Sequence, residues 1–497
     1  MNAFKRKLLV SAVLAGMGSV AGVAHAVYQD PSGMGQTLIY PYYTVQAGHN
    51  TYVSVVNTQT SGVKVVKVRF REGKNSREVL DFNLYLSPSD VWTGAVIPAD
   101  AGSATSPGRL ITADVSCTNP PIPSTGVDFR NFAYSGTNDD KLGTGLDRTR
   151  EGYLEMIEMG VLSDLVAPGN AAVHGSTGVP TCTGLTGATV PLVSAELPGF
   201  PNPQGAPTGG MNGTGTLINV SNGQDSGYNA VALSNMTTFS IYANIGNDAP
   251  NFTNADNRSV VVSNNTTYLA DWPATAAGSV NAVSSVIAHT NVINEYILDT
   301  GTKSNTDWVL TFPTKNRYVS STTAVTPFTN VLTTAGACET IGFNYFNREE
   351  ASAAASGVDF SPLPPGGDPS SLCWESTVVS IRNGSAHMPT TTTASGVLGS
   401  ANMTAIAIRS TFQNGWGRLS FTGANATTVG MLSSATSVSR NIITGGAGVT
   451  GSQQFLGLPV VGFMVRTFNN GTLGAFQANY GSAFEHKYTQ SIFPTVP

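Results

Sequence analysis

Cysteines, histidines and one oxygen-rich run hold most of the side chains here that could do chemistry. The four cysteines are Cys117, Cys182, Cys338 and Cys373. An even count suits two disulfides in an oxidising compartment. Of the three pairings, Cys117–Cys182 and Cys338–Cys373 are favoured, because each joins neighbouring loop-rich segments. No two of them form a C-x2-C pair, so a zinc site is poorly supported. Beyond the first 26 residues the histidines are His49, His174, His289, His387 and His486, and they show no two-histidine metal spacing. Each reads as a surface or hydrogen-bonded residue rather than a catalytic one. Beyond the first 26 residues there is no G-x-S-x-G elbow, no C-x-x-C-H and no phosphate-binding glycine motif. No catalytic or cofactor-binding residue is assigned. The run containing Asn247, Asp248, Asn251, Asn254, Asp256 and Asn257 offers hard oxygen donors of the kind calcium takes, with Asp248, Asn251, Asn254 and Asp256 as the candidate ligands. Its order is not that of an EF-hand, and Asn and Asp are also ordinary turn formers.

The elements that must position these groups read as strands. Short alternating or apolar runs are broken by Gly, Pro, Asn and Ser. The clearest are 37–45, 52–57, 63–71, 79–86, 91–97, 153–159, 239–244, 308–312, 378–382, 405–409 and 460–465. In one hairpin, Val66, Val68 and Phe70 share a face with Leu80, Phe82, Leu84 and Leu86 of the next strand. Period-two patterning sends those residues to a core and sends Lys67, Arg69 and Arg71 to solvent. The matching register sets Val68 opposite Phe82 and Arg69 opposite Asp81, an exposed ion pair worth at most about 1 kcal/mol. The segment 150–165 is the one helix candidate, but Gly152 and Gly160 oppose it. A strand over 153–159 is favoured, with Glu155 and Glu158 on opposite faces and so not a catalytic pair. Trp308 lies in an apolar strand and is expected in a core. Tyr40, Tyr42, Tyr43, Trp92 and Trp416 are the aromatics that would line a sugar-binding face if exposed.

The expected fold class is all-β: a β-sandwich, immunoglobulin-like or jelly-roll-like, with long loop insertions, built as one sandwich or two packed ones. A soft boundary separates an N-terminal β-sandwich domain, 27–225, from a C-terminal β-rich domain, 226–497. Ahead of them, residues 1–26 read as a secretory signal. Lys5, Arg6 and Lys7 precede a short, glycine-bearing apolar run, and Ala24-His25-Ala26 supplies the small residues before cleavage between Ala26 and Val27. A spanning helix needs about 20 apolar residues, so a membrane anchor is disfavoured, and no transmembrane helix is expected in the mature chain. Loss of the signal, with three bases and no acid, takes the net charge from −5 to −8. That balance argues against nucleic-acid binding. Charged residues are only 11%, while hydrophobic residues reach 41% and arrive in strand-length bursts, so a core can form.

Several phrases carry a resemblance: TLIYPYYTV (37–45), KVRFREGKNSREVLDFNLYLSPSDVWTG (67–94), EGYLEMIEMG (151–160), NEYILDTGTKSNTDWVLTFPTKNRY (294–318) and ANYGSAFEHKY (478–488). Together they resemble a group of uncharacterised exported cell-surface proteins of Gram-negative bacteria. The resemblance implies a surface location and transfers no active-site residue. The leading expectation is a structural or adhesive surface protein, partnered by copies of itself or by other surface components through strand edges. The alternatives are a polysaccharide-binding module with glycan partners, a secreted hydrolase and an outer-membrane barrel. The barrel is disfavoured by the ending Phe493-Pro494-Thr495-Val496-Pro497.

Overall fold

The computed structural model describes residues 25–185, 204–354, 371–421, 431–434, 436–441, 449–474 and 476–494. Residues 1–24 of the expected signal, and most of the proline-rich stretch within 347–373, lie outside these. Val27 is fully buried; its N–H donates to the Arg258 carbonyl and its carbonyl accepts from Val260 N–H, both at 2.8 Å.

The fold is all-β and sandwich-like, as its alternating sequence requires. The longer strands are β1 (Thr37–Thr44), β2 (His49–Asn57), β3 (Val63–Glu72), β4 (Glu78–Leu86), β5 (Val91–Pro98), β6 (Glu151–Leu162), β7 (Met211–Asn219), β8 (Gln224–Asn229), β9 (Asn291–Ile297), β10 (Asn305–Thr311), β11 (Gly342–Asn347), β12 (Ser376–Arg382), β13 (Met403–Ala407), β14 (Asn414–Ser420), β15 (Val461–Leu473), β16 (Phe476–Glu485) and β17 (Lys487–Thr489). A first sheet contains β1-β6-β3-β4, with short strands at both edges, and a second contains β8-β7-β2-β5. The third runs β11-β14-β9-β17, with the short strand Ser352–Ala354 beyond β11, and the fourth β13-β12-β10-β15-β16. Every sheet is open among the described residues; none closes into a barrel. The segment 150–165 supplies strand β6, paired to β1 on one side and β3 on the other. The hairpin register also holds, with Val68 opposite Phe82 and Arg69 opposite Asp81.

The central strands β12 and β10 of the fourth sheet are buried on both faces, which period two makes possible. Trp308 and Leu310 of β10 enter a core with Phe343, Tyr345 and Leu419 of the third sheet. Val309, between them, enters a different core with Tyr40, Val68 and Leu154 of the first sheet. Both cores therefore mix residues from either side of position 225. Polar ties cross the same line: the Thr311 hydroxyl donates to the Pro41 carbonyl at 2.6 Å, and the Ser400 hydroxyl to Glu151 at 2.5 Å.

Two elements depart from the sequence reading. Residues 239–244 form no strand but run as coil across the first sheet, where Ile241 N–H donates to the Met159 carbonyl at 2.8 Å. The helix α1 (Ala276–Val286) was not anticipated. Its valines, serines and Gly278 are weak helix formers, and burial against the core holds it instead. Thr275 caps it by accepting from Gly278 N–H.

Candidate functional site

The basic face of β3 is where the structure corrects the sequence most. Lys67, Arg69 and Arg71 alternate outward from the core face as expected, yet they are buried rather than solvated. The coil over 239–251 lies on top of them. Lys67 Nζ donates to the Asn244 carbonyl at 2.7 Å and pairs with Asp81 at 2.5 Å. Arg69 donates to the carbonyls of Asn247, Asp248 and Pro250 at 3.0–3.1 Å, and its Nε to Glu78 at 2.8 Å. Arg71 bonds Glu155 at 3.0 Å and the Ser76 carbonyl at 2.8 Å. On the opposite face Lys64 meets Glu158 at 2.8 Å, with Thr208 and Gly209 N–H groups also bonding that carboxylate. Glu155 and Glu158 thus point apart, each serving a different cation. A covered charge costs several kcal/mol unless paired, and here each is paired and hydrogen-bonded.

The oxygen-rich run turns out to be part of that cover. Its backbone oxygens bind a cation, but the cation is the chain's own Arg69 guanidinium. The Asp248 carboxylate faces Arg317 at 2.8 Å and Arg71 at 3.5 Å. Burial opposes its ionised form, but Arg317 and Arg71 outweigh this and hold its pKa below the usual carboxylate value. Asn251 accepts from Thr253 N–H, Asn254 accepts from Asn251 N–H, and Asp256 accepts from Arg258 N–H. These side chains cap a short helical turn and its flanks. Among the described residues no three His, Cys, Asp or Glu side chains gather to hold an ion.

The cysteines join as Cys117–Cys182 and Cys338–Cys373. Two disulfides fit a non-cytoplasmic setting. His49 and His486 are buried and hydrogen-bonded, to the Gln46 carbonyl and to the Val309 carbonyl respectively, and His289 is buried against the Tyr488 ring. His486 sits where β16 gives way to β17 and the chain passes from the fourth sheet to the third. A shallow cleft of about 370 Å³ opens at the start of α1, lined by Phe239, Asn254, Asp256 and Thr275 among others, with no histidine, cysteine or lysine in its wall.

Of the five aromatics considered for a sugar-binding face, Tyr40, Tyr42, Tyr43 and Trp92 are core residues, at most 1% exposed. Trp416 is 40% exposed. It stands on β14, directly across from Phe346 of β11 and Glu295 of β9, so all three project from one face of the third sheet. Its ring stacks on Phe346 with centroids 4.3 Å apart and planes 12° from parallel. Glu295 bonds Arg466 at 3.3 Å, and that guanidinium lies over the Phe484 ring at 4.6 Å. Two residues along the strands, a second row on the same face carries Asn344, Arg418, Ile293 and Lys487. Arg418 and Lys487 are exposed and form no ion pair among the described residues. Beneath the strip Trp308 Nε1 donates to the Glu295 carbonyl at 3.0 Å, tying it to the core. Sequence alone distinguishes Trp416 from its buried counterparts only weakly: the alternating Gly415, Gly417 and Leu419 mark the inward face.

Comparison with known proteins finds no matching family model, no similar curated protein and no similar solved structure. Among the described residues no helix is long and apolar enough to cross a membrane.

Proposed function

We propose that this is an exported structural or adhesive protein of the bacterial cell surface. The observation that carries the reading is the aromatic and cationic outer face of the third sheet, held out from a frame whose other charged strand, β3, is covered by its own chain. An outward sheet face bearing a row of aromatic and charged side chains suits contact with an extended partner. The disulfides support the reading, since they belong to an oxidising space. The export signal and the resemblance to surface proteins support it from the sequence.

Labelling whole cells with a membrane-impermeant amine reagent tests the location, with shearing and imaging of the released material to test assembly. Labelled protein that sheds in multimeric material is the expected result. Protein found only as periplasmic monomer would overturn the proposal.

A further inference from the structure

We infer that the outer face of the third sheet binds an anionic polysaccharide, one bearing uronate-type carboxylates, with Trp416 as the stacking platform and Arg418 and Lys487 as the anion contacts. This names the ligand of the face on which the adhesive reading rests.

Three features of the face select this occupant. First, the Trp416 ring is already fixed by Phe346, so stacking a sugar on it costs little side-chain entropy. Pyranose rings present C–H faces that pack on aromatic surface. Second, neighbouring strands are about 4.8 Å apart, close to the length of one sugar unit. A chain laid across β11, β14 and β9 therefore meets the aromatic pair and then the Glu295–Arg466 pair in successive residues. The carboxylate and guanidinium there can bond ring hydroxyls while neutralising each other. Third, the adjacent row carries two cations, Arg418 and Lys487, that form no ion pair among the described residues, on a chain that is acidic overall. Elsewhere, on β3, this protein covers and pairs its basic side chains; here two stand open beside an aromatic platform. A neutral glycan would leave them unused, and an extended acidic one would not.

The test uses the purified full mature chain and oligogalacturonate, with an uncharged glucan oligosaccharide of equal length for comparison. Binding is read by calorimetry and by tryptophan fluorescence, Trp416 being far more exposed than Trp92, Trp272 or Trp308. Oligogalacturonate is expected to bind, and more weakly as salt rises. Trp416→Ala is expected to weaken binding about tenfold, as loss of a stacked ring would. The charge reversals Arg418→Glu and Lys487→Glu, both at exposed positions, should abolish the salt dependence along with most of the affinity. Phe132→Ala, which removes an aromatic that is 72% exposed elsewhere, should change nothing. Equal binding of the neutral glucan, no binding of oligogalacturonate, or wild-type affinity in Trp416→Ala would each overturn the inference. So would a change in oligomeric state on Trp416→Ala in the absence of glycan binding, since the face would then belong to a second copy. Location at the cell surface is tested separately by labelling, so the two proposals fail independently.

Discussion

His486 is held in its neutral form by both of its ring nitrogens. Nε2 bonds the Val309 carbonyl at 3.0 Å and must carry the proton; Nδ1 lies 3.0 Å from the Asn294 amide and must accept. Burial pushes its pKa down to about 3, against a smaller upward pull from the Val309 carbonyl. His289, stacked on Tyr488, is likewise lowered by burial to about 3. Both folded values lie below the unfolded value of about 6.5, so their contribution to stability is present above about pH 6.5 and is lost as pH falls towards about 3. Each of these two imidazoles should therefore take up one proton on unfolding at about pH 4–6, so a His289→Gln variant should show a Tm that falls less steeply than the parent's as pH drops below about 6.5. The His486 ring resonances should not titrate between about pH 8 and pH 5; a midpoint near 6.5 would contradict the buried neutral tautomer.

At the scale of the element, β3 carries the charge economy of the fold. Its Lys64 and the Glu158 of β6 are at most 1% exposed, and removal of one partner strands the other. Lys64→Met alone should cost about 3–5 kcal/mol in denaturant unfolding, and Lys64→Met with Glu158→Leu should regain most of it. Failure of the double variant to recover would mean that the Thr208 and Gly209 contacts, and not the ion pair, dominate. β6 depends on close backbone approach at Gly152. A Cβ there would run into the Arg71 carbonyl oxygen of β3, so Gly152→Ala should destabilise the first sheet strongly. Wild-type stability in that variant would show that β3 and β6 can separate locally without loss.

For the whole molecule, the disulfides tie long loops back to short paired strands: Cys117 pairs across from Tyr85 at the edge of the first sheet, and Cys338 and Cys373 flank the pairing of Glu339 with Leu372. Cys117–Cys182 closes 65 residues and Cys338–Cys373 closes 35. By loop-closure entropy each is worth about 4 kcal/mol, so reduction should lower the Tm markedly, and Cys→Ser at both ends of one bridge should reproduce part of that drop. An unchanged Tm on full reduction would place the stability in the packed cores and sheets alone. The all-β class, strand β6 and the Val68–Phe82 register were legible in the sequence, because side chains alternate with a period of two and that period is a local property. The disulfide partners followed from the placing of loops. What surrounds a strand's second face is not local. Lys67, Arg69 and Arg71 look solvated in the alternation, and only the packing of residues 239–251 over them makes them interior. For the same reason Asp248 and its neighbours read as ion ligands until Arg69 is seen in their midst. Trp416 and Trp92 are equally tryptophans on strands, but one lies outside and one inside because of which sheets stack. Sequence by itself set the periodicity, the cysteine count and the charge. Which faces were covered was decided by contacts between segments far apart in the chain, which no local pattern encodes.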